Sequence, residues 1–226
     1  MGKINLFDDD QFLSIQSSIR SIGYDQFTII SDILSLHAKQ NKIDLDPTYS
    51  VGNFYKKGLR DPKYKFDFFP QGKDVIQASS GNIPLPDECV NIIMFDPPFL
   101  IGGTIKENSG EGSSITVKRF TNFHSFNELK VMYSDSLKEF SRLLKPDGIV
   151  IFKCQDTVDT GGNYFTHCWV MQQALKYGFY PKDLFILLAR NRLTGHWTTQ
   201  HHARKYHSYF WVFQKKEFKI NYKLKK

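Results

Sequence analysis

The feature that most constrains this chain is a short apolar run that stops abruptly. Ile92-Ile93-Met94-Phe95 is followed at once by Asp96-Pro97-Pro98-Phe99. An apolar run bounded in this way predicts a buried strand. Proline has no N–H to give to a sheet ladder, so the strand ends at Asp96. A residue that precedes proline is pushed to extended geometry, which holds both Asp96 and Pro97 extended at the strand's carboxyl end. In open α/β sheets, ligands bind at that end.

The chemistry of this corner is specific. Asp96 offers carboxylate oxygens, and Pro97 offers a carbonyl with no N–H beside it. Together they form two rigid acceptors, suited to a group with two donor hydrogens such as an exocyclic amine. Phe99 supplies a flat apolar face for a ring. An amine conjugated to a purine or pyrimidine is a poor nucleophile, because its lone pair is delocalised into the ring. Two acceptors on its hydrogens favour a pyramidal nitrogen with a localised lone pair, able to attack an activated methyl group. The plain alternative is an Asp-Pro-Pro turn with a core phenylalanine. With proline near 5% of residues, such a tetrapeptide arises by chance in roughly one chain in a hundred, which favours function.

Asp96-Pro97-Pro98-Phe99 resembles the catalytic motif of the S-adenosylmethionine-dependent amino-methyltransferases, which modify N6 of adenine or N4 of cytosine, mostly in DNA. The resemblance implies Asp96, Pro97, Pro98 and Phe99 as catalytic residues. It also implies a class I, Rossmann-like α/β fold: a three-layer sandwich with a mostly parallel sheet and a C-terminal antiparallel strand pair. Asp at the first place resembles the adenine enzymes; the cytosine enzymes usually carry Ser.

The same resemblance extends upstream. Ile43 to Leu45 reads as a strand ending in Asp46, followed by the loop Pro47-Thr48-Tyr49-Ser50-Val51-Gly52-Asn53. Related enzymes have an acid and a glycine-rich loop at this place; here Gly52 is the glycine that is left. Cofactor contacts are therefore implied for Asp46, Thr48, Tyr49, Gly52 and Asn53, with Asp46 taking the ammonium group. Tyr64 to Phe66 reads as a strand ending at Asp67, the counterpart of the acid that accepts ribose hydroxyls in dinucleotide folds. Asp61 and Asp74 compete for that role. Ser79 stands where the family carries an acid against the cofactor's adenine, with Asn82 as its rival, and Phe95 completes the cofactor set.

Elsewhere the pattern alternates between helix and strand. Residues 1–42 read as a helical segment packed on the core, with apolar residues at Phe12, Ile15 and Ile19 and again from Phe27 to Leu36. That segment either covers one sheet face or lids the cofactor site. Phe126 to Leu144 has helical spacing and ends at Pro146-Asp147-Gly148, before a buried strand Ile149–Phe152. Lys153 to Asp156 then line the pocket or solvate the sheet edge. Asn163 to Tyr177 reads as a helix, and the stretches around Leu184–Leu188 and Tyr206–Phe213 read as the last two strands. The catalytic domain thus covers 43–216, and 217–226 is a basic tail.

Two loops stand out. Residues 101–122, directly after the catalytic motif, have turn composition and read as a substrate-ordered lid or as simple disorder. Residues 190–205 interleave basic and aromatic side chains, and Gln200-His201-His202-Ala203-Arg204 with His207-Ser208-Tyr209 resembles a stretch of small phage-like DNA methylases. Arg190, Arg192, Arg204 and Lys205 suit phosphates, while Trp197, His201 and His202 suit contact with a flipped base. The plainer alternative is a solvated basic hairpin. The 226 residues carry 30 Lys+Arg against 23 Asp+Glu, a net +7 that fits a polyanionic partner such as DNA. The three cysteines form no CxxC pair, which argues against a metal site and for a reducing compartment. With no apolar run long enough to span a bilayer, the expectation is a cytoplasmic protein, monomer or homodimer. The expected function is N6-adenine methylation of DNA. Alternatives are an N4-cytosine or RNA amino-methyltransferase, or a nucleic-acid-binding module that has lost catalysis.

Overall fold

The structure, a computed structural model, describes residues 18–38, 40–99, 101, 123–159, 161–189 and 201–218. The helix expected before residue 18, the body of the 101–122 loop, and residues 190–200 of the basic loop lie outside them. The described elements run β1 (Ile22–Gly23), α1 (Gln26–His37), β2 (Leu45–Asp46), a 3-10 turn (Tyr55–Lys57), β3 (Tyr64–Asp67), β4 (Ile76–Gln77) and β5 (Val90–Phe95). They continue with α2 (Phe126–Leu143), β6 (Leu144–Cys154), β7 (Thr157–Asp159), β8 (Gly162–Tyr164), α3 (Thr166–Lys176), β9 (Phe179–Leu188) and β10 (His207–Lys215).

Eight strands form one sheet in the order β1-β9-β10-β6-β5-β2-β3-β4. Every neighbouring pair is parallel except those made by β10, which runs antiparallel to both β9 and β6. The expected antiparallel pair is therefore present as β9 and β10, with β10 inserted beside β6 and the short β1 added outside β9. The β7–β8 hairpin stands apart as a two-stranded ribbon.

Strands buried on both faces read as continuous apolar runs, and that is how β5 and β6 are written. Phe95, Val150 and Phe152 point to one side, where they meet Leu129, Tyr133, Leu137 and Phe140 of α2 and Val170 and Ala174 of α3. Met94 and Ile151 point to the other, where they meet Ile29, Ile30, Ile33 and Leu34 of α1. These are the three layers. Each fully buried side chain of this size contributes about 1.5–3 kcal/mol.

Local signals set the helix starts. The Asp25 carboxylate accepts the Thr28 N–H at 3.1 Å to cap α1. At α2 the Ser125 hydroxyl accepts the Glu128 N–H, and Glu128 reaches back to the His124 N–H at 3.0 Å, a variant of the capping box. The turn expected at Pro146-Asp147-Gly148 takes a different form. β6 starts directly at Leu144, and the tetrapeptide Lys145–Gly148 is accommodated as a bulge between the pairs Val90–Leu144 and Ile92–Ile149. Asp147 there has φ 63°. A Cβ on Gly148 would stand 3.0 Å or less from Leu144 and from the backbone oxygens of Lys145 and Asn91, so the bulge requires glycine.

A candidate active site at the carboxyl ends of β2 and β5

From β2 the chain steps outward through β3 to β4, then returns to the other side of β2 as β5. The sheet thus reverses direction between β2 and β5. Their carboxyl ends flank the crevice that such a reversal leaves open. A cleft of about 450 Å³ lies there, lined by the 47–50 loop, Asn53, Asp67, Ser79 and the whole of Asp96-Pro97-Pro98-Phe99.

The motif is held from three directions. Thr48 Oγ1 accepts the Asp96 N–H at 2.9 Å and donates to Asp46 Oδ1 at 3.2 Å. The Tyr133 hydroxyl, fully buried under the sheet, donates to the Pro98 carbonyl at 2.9 Å. Lys153 Nζ stands 3.1 Å from both oxygens of Asp96. The sheet register explains that last contact. Phe95 pairs with Phe152, so the next residue on each parallel strand, Asp96 and Lys153, reaches the carboxyl end at the same level. The Lys153 side chain is only 11% exposed, and its ammonium also lies near the Gln26 amide oxygen and over the rings of Phe54 and Phe210.

The loop after β2 is braced from within. Asp46 is 1% exposed; Tyr55 donates to its Oδ2 at 2.7 Å, and the Thr48 N–H and hydroxyl occupy Oδ1. Burial pushes its carboxyl up to about 7, with Tyr55 and Thr48 opposing the rise. Gly52 sits at φ 66°, and a Cβ there would fall on the ring of Tyr49, which stacks on Tyr55. Asp67 closes the loop from β3: its Oδ2 accepts the Ser50 N–H and its Oδ1 the Phe69 N–H, both at 2.8 Å.

The sequence-derived set divides in a clear way. Thr48, Tyr49, Asn53, Asp67, Ser79, Asp96, Pro97, Pro98 and Phe99 come together in the cleft. Asp46, Gly52 and Phe95 do not line it. Asp46 spends its oxygens on Tyr55 and Thr48, Gly52 lies behind Tyr49, and Phe95 packs on Phe140 and Phe152 in the core. The ammonium-binding role assigned to Asp46 thus gives way to a loop-bracing one. Among the competing acids, Asp61 and Asp74 pair with Lys65 and do not line the cleft, whereas Asp67 lines it. Asn82 opens onto a neighbouring shallow depression, while Ser79 borders both.

Of the basic loop, Arg190, Arg192 and Trp197 lie outside the described residues. His201, His202, Arg204 and Lys205 do not line the cleft. His202 bonds to the Gly161 carbonyl at 2.8 Å, and Lys205 stands over the Phe165 ring. Nearby, buried Asp156 bonds His167 Nδ1 at 2.7 Å; burial pushes that carboxyl up, but the bonds from His167 outweigh it and hold it below the usual range. So of the stretch Lys153–Asp156, Lys153 faces the cleft and Asp156 does not.

Sequence reasoning passed over Gln26, Ser50, Phe54, Phe68, Phe69 and Met132, all of which line the cleft. Phe68 and Phe69 follow directly after Asp67, and Phe68 is 59% exposed. Among the described residues no group of His, Cys, Asp and Glu is arranged to hold a metal ion, and no helix is long and apolar enough to cross a membrane.

No protein-family model and no curated protein matches this chain. Solved structures of similar shape exist. One is the Thermus thermophilus protein TTHA0409, a proposed DNA modification methylase complexed with S-adenosyl-L-methionine: 12% identical, TM-score 0.39, over 65% of this chain and 57% of that one. Another is the PvuII cytosine-N4-specific DNA methyltransferase, 17% identical with TM-score 0.40, over 58% of this chain and 44% of that one. A third is TrmN from Thermus thermophilus, 15% identical with TM-score 0.47, over 85% of this chain and 49% of that one. The chain thus spans about half the length of each.

Proposed function

We propose that this protein transfers a methyl group from S-adenosylmethionine to an exocyclic amine of a nucleic-acid base, with N6 of adenine in DNA as the first choice. The observation that carries the reading is the meeting of Asp96-Pro97-Pro98-Phe99 with the 47–50 loop, Asn53, Asp67 and Ser79 in one cleft at the sheet's switch point.

The residues present fit the cofactor. The cleft volume of about 450 Å³ lies within the range of roughly 300–1,000 Å³ usual for such ligands. Each Asp67 oxygen accepts a backbone N–H, and a carboxylate oxygen can accept more than one donor, which suits ribose hydroxyls. Phe68, Phe69 and Ser79 offer an apolar and hydrogen-bonding seat for adenine. Tyr49, Ser50 and Asn53 remain for the methionine end, which Asp46 does not face. When bound, S-adenosylmethionine supplies the activated methyl group.

The protein's own contribution is to bind and orient. Asp96 and the Pro97 carbonyl accept the two amine hydrogens, localise the nitrogen lone pair and aim it into the cleft. Phe99 stacks on the target ring, which duplex DNA would present by flipping. Thr48, Tyr133 and the two prolines hold these acceptors rigid, so little reorganisation is needed as charge moves. Asp at the head of the motif inclines the choice toward adenine, and the net charge of +7 fits a nucleic-acid substrate. N4 of cytosine presents the same pair of donors.

The test is transfer of a tritiated methyl group to duplex DNA, single-stranded DNA and RNA, followed by nucleoside digestion. Label in N6-methyladenine from DNA is expected. Label in N4-methylcytosine, or in RNA alone, changes the substrate and keeps the chemistry. Absence of label from a protein that binds the cofactor favours a binding module instead.

A further inference from the structure

We infer that Lys153 reads the target base: while Asp96 accepts a hydrogen from the amine, Lys153 donates to the ring nitrogen beside that amine. The inference rests on the amino-methyl-transfer reading above and names a specificity determinant of the same site.

The sheet places the two groups as a unit. Asp96 and Lys153 end adjacent parallel strands at one register level, on the side that faces α1, and both line the cleft. Their charged atoms are 3.1 Å apart. The pair presents an acceptor and a donor side by side. An aminated base edge presents the complement: in adenine the N6 amine lies between the acceptors N1 and N7, and in cytosine the N4 amine lies beside the acceptor N3. Such two-point matching is how base edges are distinguished elsewhere. An ammonium carries three donors, and among the described residues Asp96 and Gln26 are its two hydrogen-bond partners, which leaves capacity for a third.

Lys153 is also built to stay. Its ammonium lies over the rings of Phe54 and Phe210, 5.5 and 5.6 Å from their centroids, and the side chain is only 11% exposed. A lysine meant only to solvate the sheet edge would extend to water. Lys153 instead points its charge at Asp96 and at the space above it. Gln26, on the first turn of α1, supports it from the opposite layer, which gives that helix a part in the site beyond covering the sheet.

Substrate atoms provide the test. Oligonucleotides carrying one target adenine, 7-deazaadenine or 1-deazaadenine are methylated by the wild type and by Lys153→Met, whose stem retains the apolar packing. If the product is methylcytosine, 3-deazacytosine replaces the purine analogues. The wild type should lose kcat/KM by ~10-fold or more on one deaza analogue, the size of one hydrogen bond from a charged donor. Lys153→Met should lose a similar factor on the natural base and nothing further on that analogue. If the wild type uses every analogue as well as the natural base, the inference is overturned without recourse to any variant. Losses from Lys153→Met and from the analogue that simply multiply would also overturn it, and would leave Lys153 as a support for Asp96. A wild type active on no natural base removes the underlying reading, and this inference with it.

Discussion

Thr48 and Asp96 are joined across the switch point of the sheet: the Thr48 hydroxyl accepts the Asp96 N–H at 2.9 Å. The same hydroxyl donates to buried Asp46, so one small side chain couples the loop proposed to hold the cofactor to the proposed amine site. Thr48→Val keeps the shape and removes both bonds. It should cost about 1–3 kcal/mol in unfolding free energy, because a backbone N–H loses its partner. Methyl transfer should fall by a larger factor than cofactor affinity, measured by single-turnover labelling and by titration calorimetry.

Asp96→Ala should lower methyl transfer by roughly 100–1,000-fold, the usual cost of removing one preorganised polar group from an active site. Cofactor binding should persist, since Asp67, Ser79 and the loop are untouched. Near-normal turnover in this variant would defeat the two-acceptor mechanism; a variant that fails to fold would reassign Asp96 to structure.

Tyr133→Phe isolates the support beneath the motif. The ring stays packed against Phe95 and Phe152, and only the bond to the Pro98 carbonyl is removed. The expected cost is about 1 kcal/mol in denaturant unfolding, with a drop in kcat and little change in cofactor affinity.

Asp46 predicts a pH dependence. Its carboxyl titrates near 7 in the folded protein against 3.8 for the ordinary value, so the native state binds the extra proton between those values. Unfolding free energy from this group therefore falls as pH rises from about 4 to about 7. The effect is on the order of a few kcal/mol, at about 1.36 kcal/mol per pH unit. Asp46→Asn should gain melting temperature relative to the wild type across that window. A constant difference between the two proteins from about pH 4.5 to about pH 7.5 would contradict the assignment.

The basic loop remains a proposal about nucleic acid. Replacing Arg190, Arg192, Arg204 and Lys205 by alanine should weaken DNA binding and flatten its salt dependence, by about 0.9 in log–log slope for each phosphate left unneutralised. Cofactor affinity should stay unchanged. An unaltered slope would move the DNA interface elsewhere, first to the lysines of the 217–226 tail.

Much of the architecture was legible in one dimension because each signal is local. The Ile92–Phe95 run marks a strand, and two prolines mark its end. Helical spacing of the apolar residues from Leu129 to Leu143 marks α2. The order of these elements brings Asp96, Asp67, Ser79 and the 47–53 loop to one end of the sheet. What the tertiary structure decided is which side chains within those segments face the cleft. Asp46, Gly52 and Phe95 sit in segments that border the cleft, yet Asp46 is taken by Tyr55, Gly52 lies behind Tyr49, and Phe95 packs on Phe140. Lys153 shows the converse. It lies 57 residues from Asp96 in the chain, and no local pattern joins the two. A parallel register, set by apolar pairing of β5 with β6, puts them at the same height. Strand existence follows from composition over a few residues; which polar groups meet at the strand ends follows from pairing across the sheet, and pairing exists only once the chain has folded.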